Sequence, residues 1–417
     1  MKTRALLATL VGAALATVAG YAIAQRVDAR RPTTFVVGAT PGASPTPRVD
    51  SQRSGVSKAA FPKAPLRLDW RKPVGSTLDQ PPLVLDSSGD STIALVSGRG
   101  EAVWYQSDGT ESAKVFLGIG TAGAPIALAD GTLVVTSGAG EVVGIRREGL
   151  RFKVSIGSDR SALLGSTPLA LLDGGFVVAY GADLITFDAE GNVRSRATAP
   201  EAPTGPLASA DGKIYFASSG GVLYSWNAAR DVVRVGSFGG SLDGGFALDA
   251  GHTAYAVVDG SRLVALDLAK GVALPRATMT SGAYLGPPAI RNGSAAMMAI
   301  IPGRTFALVI DGNGQEALRV PLTSPTLALL SLGDAGAAFV VPSHTGVLYD
   351  AGGSIAFASP EGVVGVIDPT GAAQTLPDVP CPKGGRNGGI SAIVPGGPGA
   401  LVVACSSGTL VRIIGAN

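Results

Sequence analysis

One phrase recurs about every 40 residues along most of the chain. It consists of an apolar strand, an Asp-Gly-type turn, a second apolar strand, a turn of small residues, and a third strand that ends in Asp or a substitute before Gly. Three copies illustrate it: Leu169–Asn192, Leu207–Arg230 and Phe246–Gly271. A period of this length built of short strands predicts a radial or stacked array, because one such repeat cannot bury its apolar faces alone.

The repeats number eight, and all but the last contain four short strands. The interval before the last repeat is longer by about 20 residues, which predicts an insertion in the seventh repeat around Ser343–Gly353. Dipeptides that favour positive φ mark four of the turns between first and second strands: Asp130-Gly131, Asp173-Gly174, Asp211-Gly212 and Asn292-Gly293. The first strands are expected to begin near Pro82, Ala124, Thr167, Pro206, Phe246, Pro287, Leu327 and Ile390.

The last repeat lacks one strand, and the front of the chain supplies a matching one. After Ile390 the sequence fits three strands, whereas Leu66–Gly75 (LRLDWRKPVG) stands alone before the first repeat. Pairing the two closes a ring and removes its exposed sheet edges. We therefore predict an all-β fold, a β-propeller of eight four-stranded blades whose last blade is closed by an N-terminal strand. Seven blades are the alternative if the irregular seventh region is divided differently.

The chain divides into three predicted parts. Residues 1–24 have the pattern of a signal peptide, with Lys2 and Arg4 before an apolar run and a small-x-small site at Ala22–Ala24; an uncleaved membrane anchor over residues 5–24 is the alternative. Residues 25–64 are rich in Pro, Ser, Thr and Arg and are predicted to be a disordered or extended linker. Residues 65–417 form the propeller.

Charge is distributed unevenly between these parts. Residues 25–72 hold ten Lys/Arg against three Asp, while residues 73–417 hold 21 basic against 28 acidic residues. A basic tail can contact anionic surfaces of the cell envelope, although a solvated tether is the favoured explanation. The acidic body lacks a basic aromatic patch, which argues against a nucleic-acid partner.

The two cysteines, Cys381 and Cys405, both fall in the final repeat. In an oxidising compartment the pair is expected to form a disulfide that closes a loop of 24 residues. Two buried free thiols are the alternative. The spacing matches neither a zinc site nor a redox Cys-x-x-Cys motif.

The third strands end in a shared pattern, apolar-apolar-Asp-x-x-Gly, as in Thr186–Gly191, Val309–Gly314 and Val366–Gly371. This pattern resembles the repeat of pyrroloquinoline-quinone-type propellers over about residues 66–417. That family includes quinoprotein alcohol dehydrogenases and a non-catalytic propeller of the bacterial outer-membrane assembly machinery. This chain resembles the non-catalytic propeller more than the dehydrogenases. The repeated Asp and Gly have a structural explanation, since Asp accepts backbone N–H groups in a turn and Gly takes the left-handed conformation.

The residues that a quinoprotein dehydrogenase needs are missing. The resemblance would imply adjacent cysteines, a calcium site, a catalytic Asp and many tryptophans, but the cysteines here are 24 residues apart and only three tryptophans occur. Two histidines, His252 and His344, stand in turn-like sequences and suggest no catalytic triad. We therefore expect no cofactor, no metal site and no catalytic residues.

Turns between second and third strands lie on one face of a propeller, and here several carry charge. A ring of alternating charge on that face would suit a peptide or protein partner, although ordinary polar hairpin turns explain the same residues. The candidate partner-face residues are Arg99, Glu101, Glu141, Asp183, Arg262, Arg304 and Glu361.

These features favour an exported, non-enzymatic propeller that binds a protein partner in the bacterial cell envelope, either periplasmic or secreted. One alternative is a propeller enzyme, a degenerate quinoprotein or a hydrolase, with its site in the central channel. The apolar inner-strand sequences PIALA, PLALL and PLASA argue against that reading. The other alternative is a sensor ectodomain tethered to the inner membrane through residues 5–24 and facing outward.

Overall fold

Eight small antiparallel sheets follow one another along the chain as the blades of a β-propeller. The computed structural model describes residue 35 and the ranges 44–87, 90–158, 167–228, 231–250, 252–302, 304–322, 346–359, 362–376, 380–381 and 389–415. Within these ranges every regular element is a strand. The eight-bladed, all-β prediction is confirmed.

In each of blades 1 to 7 the chain runs from the innermost strand to the outermost. A two-residue strand, β1 (Val56–Ser57), precedes them and is described with blade 7. Blade 1 consists of β3 (Leu83–Ser87), β4 (Asp90–Val96), β5 (Glu101–Tyr105) and β6 (Glu111–Phe116), and blade 2 of β7 (Ile126–Ala127), β8 (Leu133–Ser137), β9 (Glu141–Arg146) and β10 (Gly149–Ser155). Blade 3 consists of β11 (Leu169–Ala170), β12 (Phe176–Tyr180), β13 (Asp183–Phe187) and β14 (Val193–Thr198), and blade 4 of β15 (Ala208–Ala210), β16 (Lys213–Ala217), β17 (Val222–Trp226) and β18 (Val233–Ser237).

The second half of the ring repeats this order. Blade 5 consists of β19 (Leu242–Leu248), β20 (Thr253–Val258), β21 (Arg262–Asp267) and β22 (Ala273–Thr278), and blade 6 of β23 (Ala283–Arg291), β24 (Ser294–Ile301), β25 (Arg304–Ile310) and β26 (Glu316–Pro321). Blade 7 consists of β27 (Val347–Asp350), β28 (Ile355–Ala358), β29 (Val364–Ile367) and β30 (Ala373–Thr375), and blade 8 of β31 (Ile390–Pro395), β32 (Ala400–Cys405), β33 (Thr409–Gly415) and β2 (Leu66–Pro73).

Strand β2 closes the ring, as the sequence predicts. It pairs antiparallel with β33 from Leu66 opposite Gly415 to Pro73 opposite Thr409, and so forms the outer strand of blade 8. The indole Nε1 of Trp70 on β2 donates a 2.9 Å hydrogen bond to the Ser107 carbonyl of blade 1. The closing strand therefore joins the last blade to the first.

Turn chemistry explains the repeated Asp and Gly. Between β25 and β26, Asp311 Oδ1 accepts the backbone N–H groups of Asn313 and Gln315 at 2.9 and 2.8 Å, while Gly314 has a φ of 83°. The Asp211-Gly212 turn places both residues at positive φ, as a two-residue hairpin turn requires. These aspartates thus have the structural role expected of them.

The core lies between neighbouring blades. The second and third strands are almost wholly apolar and buried, as in β8 (LVVTS) and β12 (FVVAY). Phe152 of blade 2 stacks on Phe176 of blade 3 at 5.8 Å between ring centroids, and Phe176 stacks on Phe187 at 4.8 Å. Since each apolar face is covered only by the next blade, a single repeat has no core of its own.

Blade 7 differs from the sequence-based division. The segment Ser343–Gly353 was expected to be an insertion, with the first strand near Leu327, but Val347–Asp350 is the innermost strand β27 of that blade. The extra residues therefore fall between β26 and β27, where residues 323–345 lie outside the described ranges. The apolar run after Leu327 resembles an inner strand in composition, which explains the incorrect assignment.

The predicted disulfide is present between Cys381 and Cys405, with 5.5 Å between the Cα atoms. It ties the chain before blade 8 to the end of β32. We expect the double variant Cys381→Ala/Cys405→Ala to lose about 3 kcal/mol of unfolding free energy, since the unfolded chain gains a freed loop of 24 residues.

Urea unfolding of both proteins with and without a reductant checks this value. Reduction should bring the wild-type protein to the level of the variant and should leave the variant unchanged. Equal stability of oxidised and reduced wild-type protein would contradict the prediction.

Asp130 lies at the centre of a charge network that connects blades 2 and 3. Its Oδ2 accepts from Arg146 Nη2 at 2.5 Å and from Arg151, which also reaches Glu190 of blade 3 at 3.2 Å. Partial burial acts to raise the pKa of Asp130, but hydrogen bonds from Thr132 and the two arginines outweigh it and hold the pKa well below its usual range.

A carboxyl group with a lowered folded-state pKa stabilises the fold above its unfolded pKa of about 3.9, and this contribution is lost as the pH falls further toward the folded-state pKa. Asp130→Asn is therefore expected to cost about 1 kcal/mol at pH 7, a value limited by solvent screening. The difference from wild type should shrink below about pH 4. Urea unfolding at pH 7 and pH 3 tests this, with the exposed Asp231→Asn as control. A cost that is the same at both pH values would count against it.

Candidate functional site

The central channel is occupied by the protein's own N-terminal segment. Residues 44–57, hereafter the channel segment, are predominantly buried although they are rich in Ser, Pro and Arg. The sequence predicts a disordered or extended linker over residues 25–64, but residues 44–57 of that range are mostly buried and not a solvated linker. The reason is tertiary: the inner strands carry mostly small side chains, and a folded protein leaves few large voids.

The channel segment contacts blades 1 to 7 through hydrogen bonds. Its carbonyl groups accept backbone N–H groups of the inner strands, which would otherwise be open sheet edges. The bonds, with donor first, are Val84 N to Ser44 O at 2.9 Å, Ala127 N to Pro45 O at 2.8 Å, Ser209 N to Ser51 O at 2.7 Å, Leu248 N to Gln52 O at 2.9 Å, Ile290 N to Ser54 O at 2.7 Å and Tyr349 N to Gly55 O at 2.8 Å. Arg53 reaches blade 3, and blade 8 is met just beyond the segment, where Gly399 N donates to Ala60 O at 2.9 Å.

Two buried arginines strengthen this attachment. Arg53 is 1% exposed and donates from Nε to Leu207 O at 2.9 Å and from Nη2 to Pro168 O at 3.1 Å. Arg48 donates from Nη1 to Val347 O at 3.2 Å and from Nη2 to Pro288 O. The acceptors are carbonyl groups at or just before inner strands of four different blades, so each guanidinium links two blades.

One carboxylate accompanies the two cations. Asp50 accepts both the N–H and the hydroxyl of Ser54. Burial raises the pKa of Asp50, against the opposing effect of Ser54 and the two arginines. Burial also lowers the pKa values of Arg48 and Arg53 to about 10, so both remain charged at neutral pH. The groups form a local charge cluster that holds the segment together, not an acid–base pair open to a substrate.

The channel segment leaves the channel at the face that carries the turns between first and second strands, hereafter the front face. Strand β1 runs parallel to β27 toward this face, and Phe61 N then donates to Asp350 Oδ2 at 3.0 Å. Phe35 lies at the same face on blade 4, where its ring packs edge-on against Trp226 at 4.8 Å. Phe35, a described residue before the segment, and the segment's own C-terminal end thus both lie at the front face.

A cleft of about 580 Å³ opens beside the exit of the segment. Its walls are residues 58–66 on one side and the turns of blade 7 on the other, with apolar contributions from Phe61, Leu66 and Val366. The buried Asp350 at its base has both oxygens engaged, since Ser354 N donates to Oδ1 at 2.8 Å. The cleft is suited to holding an apolar group and offers no free buried base.

The described members of the predicted partner-face set lie at the opposite end, hereafter the back face. Three acidic members pair with a basic residue on the outer strand of their own blade: Glu101 with Lys114 at 3.0 Å, Glu141 with Lys153 at 2.9 Å, and Asp183 with Arg196 at 3.4 Å. Arg262 contacts Asp259 at 2.6 Å, whereas Arg99 and Arg304 are exposed.

Where these side chains are described, no ion pair joins two of them. Glu361 lies outside the described residues. The ring therefore consists of separate local pairs and two exposed arginines, and its role toward a partner stays a prediction.

Other polar groups give no second site. His252 Nδ1 lies 2.6 Å from Asp211 Oδ2, but both side chains are mostly exposed, and His344 lies outside the described residues. The described residues contain no group of three or more His, Cys, Asp or Glu placed to hold a metal ion. They also include no helix long and apolar enough to cross a membrane.

Sequence reasoning missed Arg48, Asp50 and Arg53. A signal was available in the inner strands, whose small residues cannot fill the centre of an eight-bladed ring. An apolar-poor segment directly before the closing strand was the nearest chain able to fill it. Composition alone favours disorder for such a segment, because its own side chains bury little apolar area.

Comparison with known proteins agrees with the fold. A family model described as the outer membrane protein assembly factor BamB matches residues 63–230. The crystal structure of BamB from Moraxella catarrhalis is similar at 13% identity and a TM-score of 0.57, covering 84% of this chain and 98% of that chain. The computationally designed Ika8 protein is similar at 13% identity and a TM-score of 0.60, covering 83% of this chain and 98% of that chain.

Two further results complete the comparison. Virginiamycin B lyase from Staphylococcus aureus is similar at 10% identity with a TM-score of 0.45, too low to support an inference, and covers 84% of this chain and 99% of that chain. No curated protein sequence matches the chain significantly. The family match over residues 63–230 and the eight-bladed ring agree with the resemblance to pyrroloquinoline-quinone-like repeats, and the fold is that of an eight-bladed β-propeller similar to BamB.

Proposed function

We propose that this protein is an exported, non-enzymatic propeller that serves as a protein-binding scaffold in the bacterial cell envelope. The observation that carries the proposal is the occupied channel. Propellers commonly place ligand sites at the centre of the ring, and here the channel segment fills that position through hydrogen bonds to inner strands. While the segment is docked, recognition of a protein partner falls to the outer surfaces, where rigid blades present turns and strand edges.

The position of the N-terminal segment supports the back face as the partner surface. Phe35, which precedes the segment, and the C-terminal end of the segment both lie at the front face. Any attachment through residues 5–24 would therefore approach the propeller from that side, which leaves the back face with Arg99 and Arg304 turned away from it. The match to an assembly-factor family supports a partner that is itself a protein of the envelope.

Site-specific crosslinking in cells tests the proposal. A photo-crosslinking residue at position 99 or 304 on the back face should give a discrete protein adduct in the envelope fraction. The same residue at position 213, which begins β16 next to the front-face turn of blade 4, is the matched control and should give none. Arg99→Glu combined with Arg304→Glu should reduce partner recovery about tenfold, as expected for interface arginines. Equal adducts from both faces, or no adduct together with a specific turnover activity, would overturn the proposal.

A further inference from the structure

We propose that the central channel is a peptide-binding site, selective for a turned chain with two arginines five residues apart, and that residues 44–57 are its exchangeable occupant. This inference goes beyond the scaffold role, because it assigns a ligand class to the channel itself. The channel segment would then be an intramolecular ligand and not an integral part of the propeller fold.

The ring is complete without its occupant. Each of the eight blades has four strands built from residues 66 onward, and only the two-residue β1 of the channel segment joins a sheet. The closing strand β2 begins after the segment ends. The channel can therefore exist before the segment enters it, so that docking is a binding step separate from ring closure.

Recognition by the channel uses the backbone of its ligand. The carbonyls of Ser51, Gln52, Ser54 and Gly55 accept N–H groups from blades 4, 5, 6 and 7 in order. Hydrogen bonds from a sheet edge to the ligand backbone give affinity with little dependence on side chains, and the ligand here is a turned chain in which Gly55 N donates to Arg48 O at 3.2 Å. The inner strand of each blade is such an edge, and the ring arranges eight of them around one ligand.

Selectivity comes from the two arginines. Arg48 and Arg53 bind carbonyl oxygens of blades 6 and 7 and of blades 3 and 4 respectively. A guanidinium has donors fixed in a plane and reaches two acceptors at once, which the single ammonium group of lysine does not match. A ligand without these arginines would leave buried carbonyl groups unpaired.

The fit also contains costs that make the occupant replaceable. Arg48, Val49 and Arg53 have φ values of 63°, 77° and 57°, in the left-handed region that L residues rarely adopt. Val49 is β-branched, for which this conformation is most strained. The Nε of Arg48 is buried without a hydrogen-bond partner. Such costs reduce the docking free energy of the segment and leave it open to competition.

The test uses the full-length protein with a recognition site for a specific protease inserted between Lys63 and Ala64, where the chain is exposed. After cleavage, a fluorescent synthetic peptide of residues 44–58 should enter the channel while the cut segment elutes separately in gel filtration. Uncut protein should bind the peptide far more weakly, because a tethered occupant competes at an effective concentration in the millimolar range.

Variant peptides test the selectivity. A peptide with Arg48→Ala and Arg53→Ala should bind at least about tenfold more weakly, since two charged, hydrogen-bonded groups are lost. A peptide with Lys58→Ala is the matched control and should bind as the natural sequence does, because Lys58 is exposed. The proposal is overturned if the cut segment never exchanges in a folded propeller, if cleavage unfolds the ring, or if the arginine-free peptide binds equally well.

Discussion

A chain that begins at Gly75, and therefore lacks β2, is expected to lose the native ring and to aggregate. Removal of β2 (Leu66–Pro73) leaves β33 without its outer partner and exposes β33, the apolar strand TLVRIIG, as a free edge. The contact of Trp70 with blade 1 is lost as well. The combined loss is comparable with the total stability of an ordinary domain, about 5–15 kcal/mol.

Two matched chains separate ring closure from other effects of truncation. A chain that begins at Pro62 lacks the channel segment but keeps β2, and it should remain soluble and cooperatively folded. A circular permutant that begins at residue 75 and carries residues 66–73 after a short turn at the C-terminus should also fold, because Leu66 lies opposite Gly415 in the ladder. Circular dichroism and gel filtration show which of the three chains are folded and monomeric. A folded, monomeric chain without β2 would contradict the closure argument.

Arg53→Ala is expected to release the channel segment and to lower the unfolding free energy by about 2–4 kcal/mol, because buried carbonyl groups lose charged donors. The affected acceptors include Leu207 O, Pro168 O and Pro47 O. The cost has an upper limit, the free energy of docking the segment, since beyond it the segment leaves the channel and water replaces the lost bonds.

Two measurements check the effect of Arg53→Ala. Urea unfolding gives its size, and limited trypsin digestion reports release, because cleavage after Arg48 requires that this buried residue become accessible. Arg304→Ala is the control: its side chain is exposed on the back face, and its cost should stay within about 0.5 kcal/mol. Unchanged stability together with continued protection of Arg48 would show that Arg53 does not hold the segment.

The blade count and the closing strand were predictable because their signals are local. Strand alternation, the Asp-Gly turns and the four-strand unit repeat along the sequence, and a missing strand at one end matches a surplus strand at the other. The division of blade 7 failed for the same reason, since the apolar run after Leu327 has the composition of an inner strand. Local pattern does not distinguish such a run from β27, which is defined by its pairing with β28 and β1.

By itself, the sequence determined the propeller architecture and favoured eight units, ring closure and the disulfide, because each of these rests on periodicity, turn chemistry or cysteine count. Only the tertiary structure decided what lies in the channel. Ser, Pro and Arg residues bury little apolar area and make no regular element of their own, so nothing local favours order in residues 44–57. Their order comes from eight inner strands that meet at one axis and offer unpaired N–H and carbonyl groups there, an arrangement that exists only once the ring has formed.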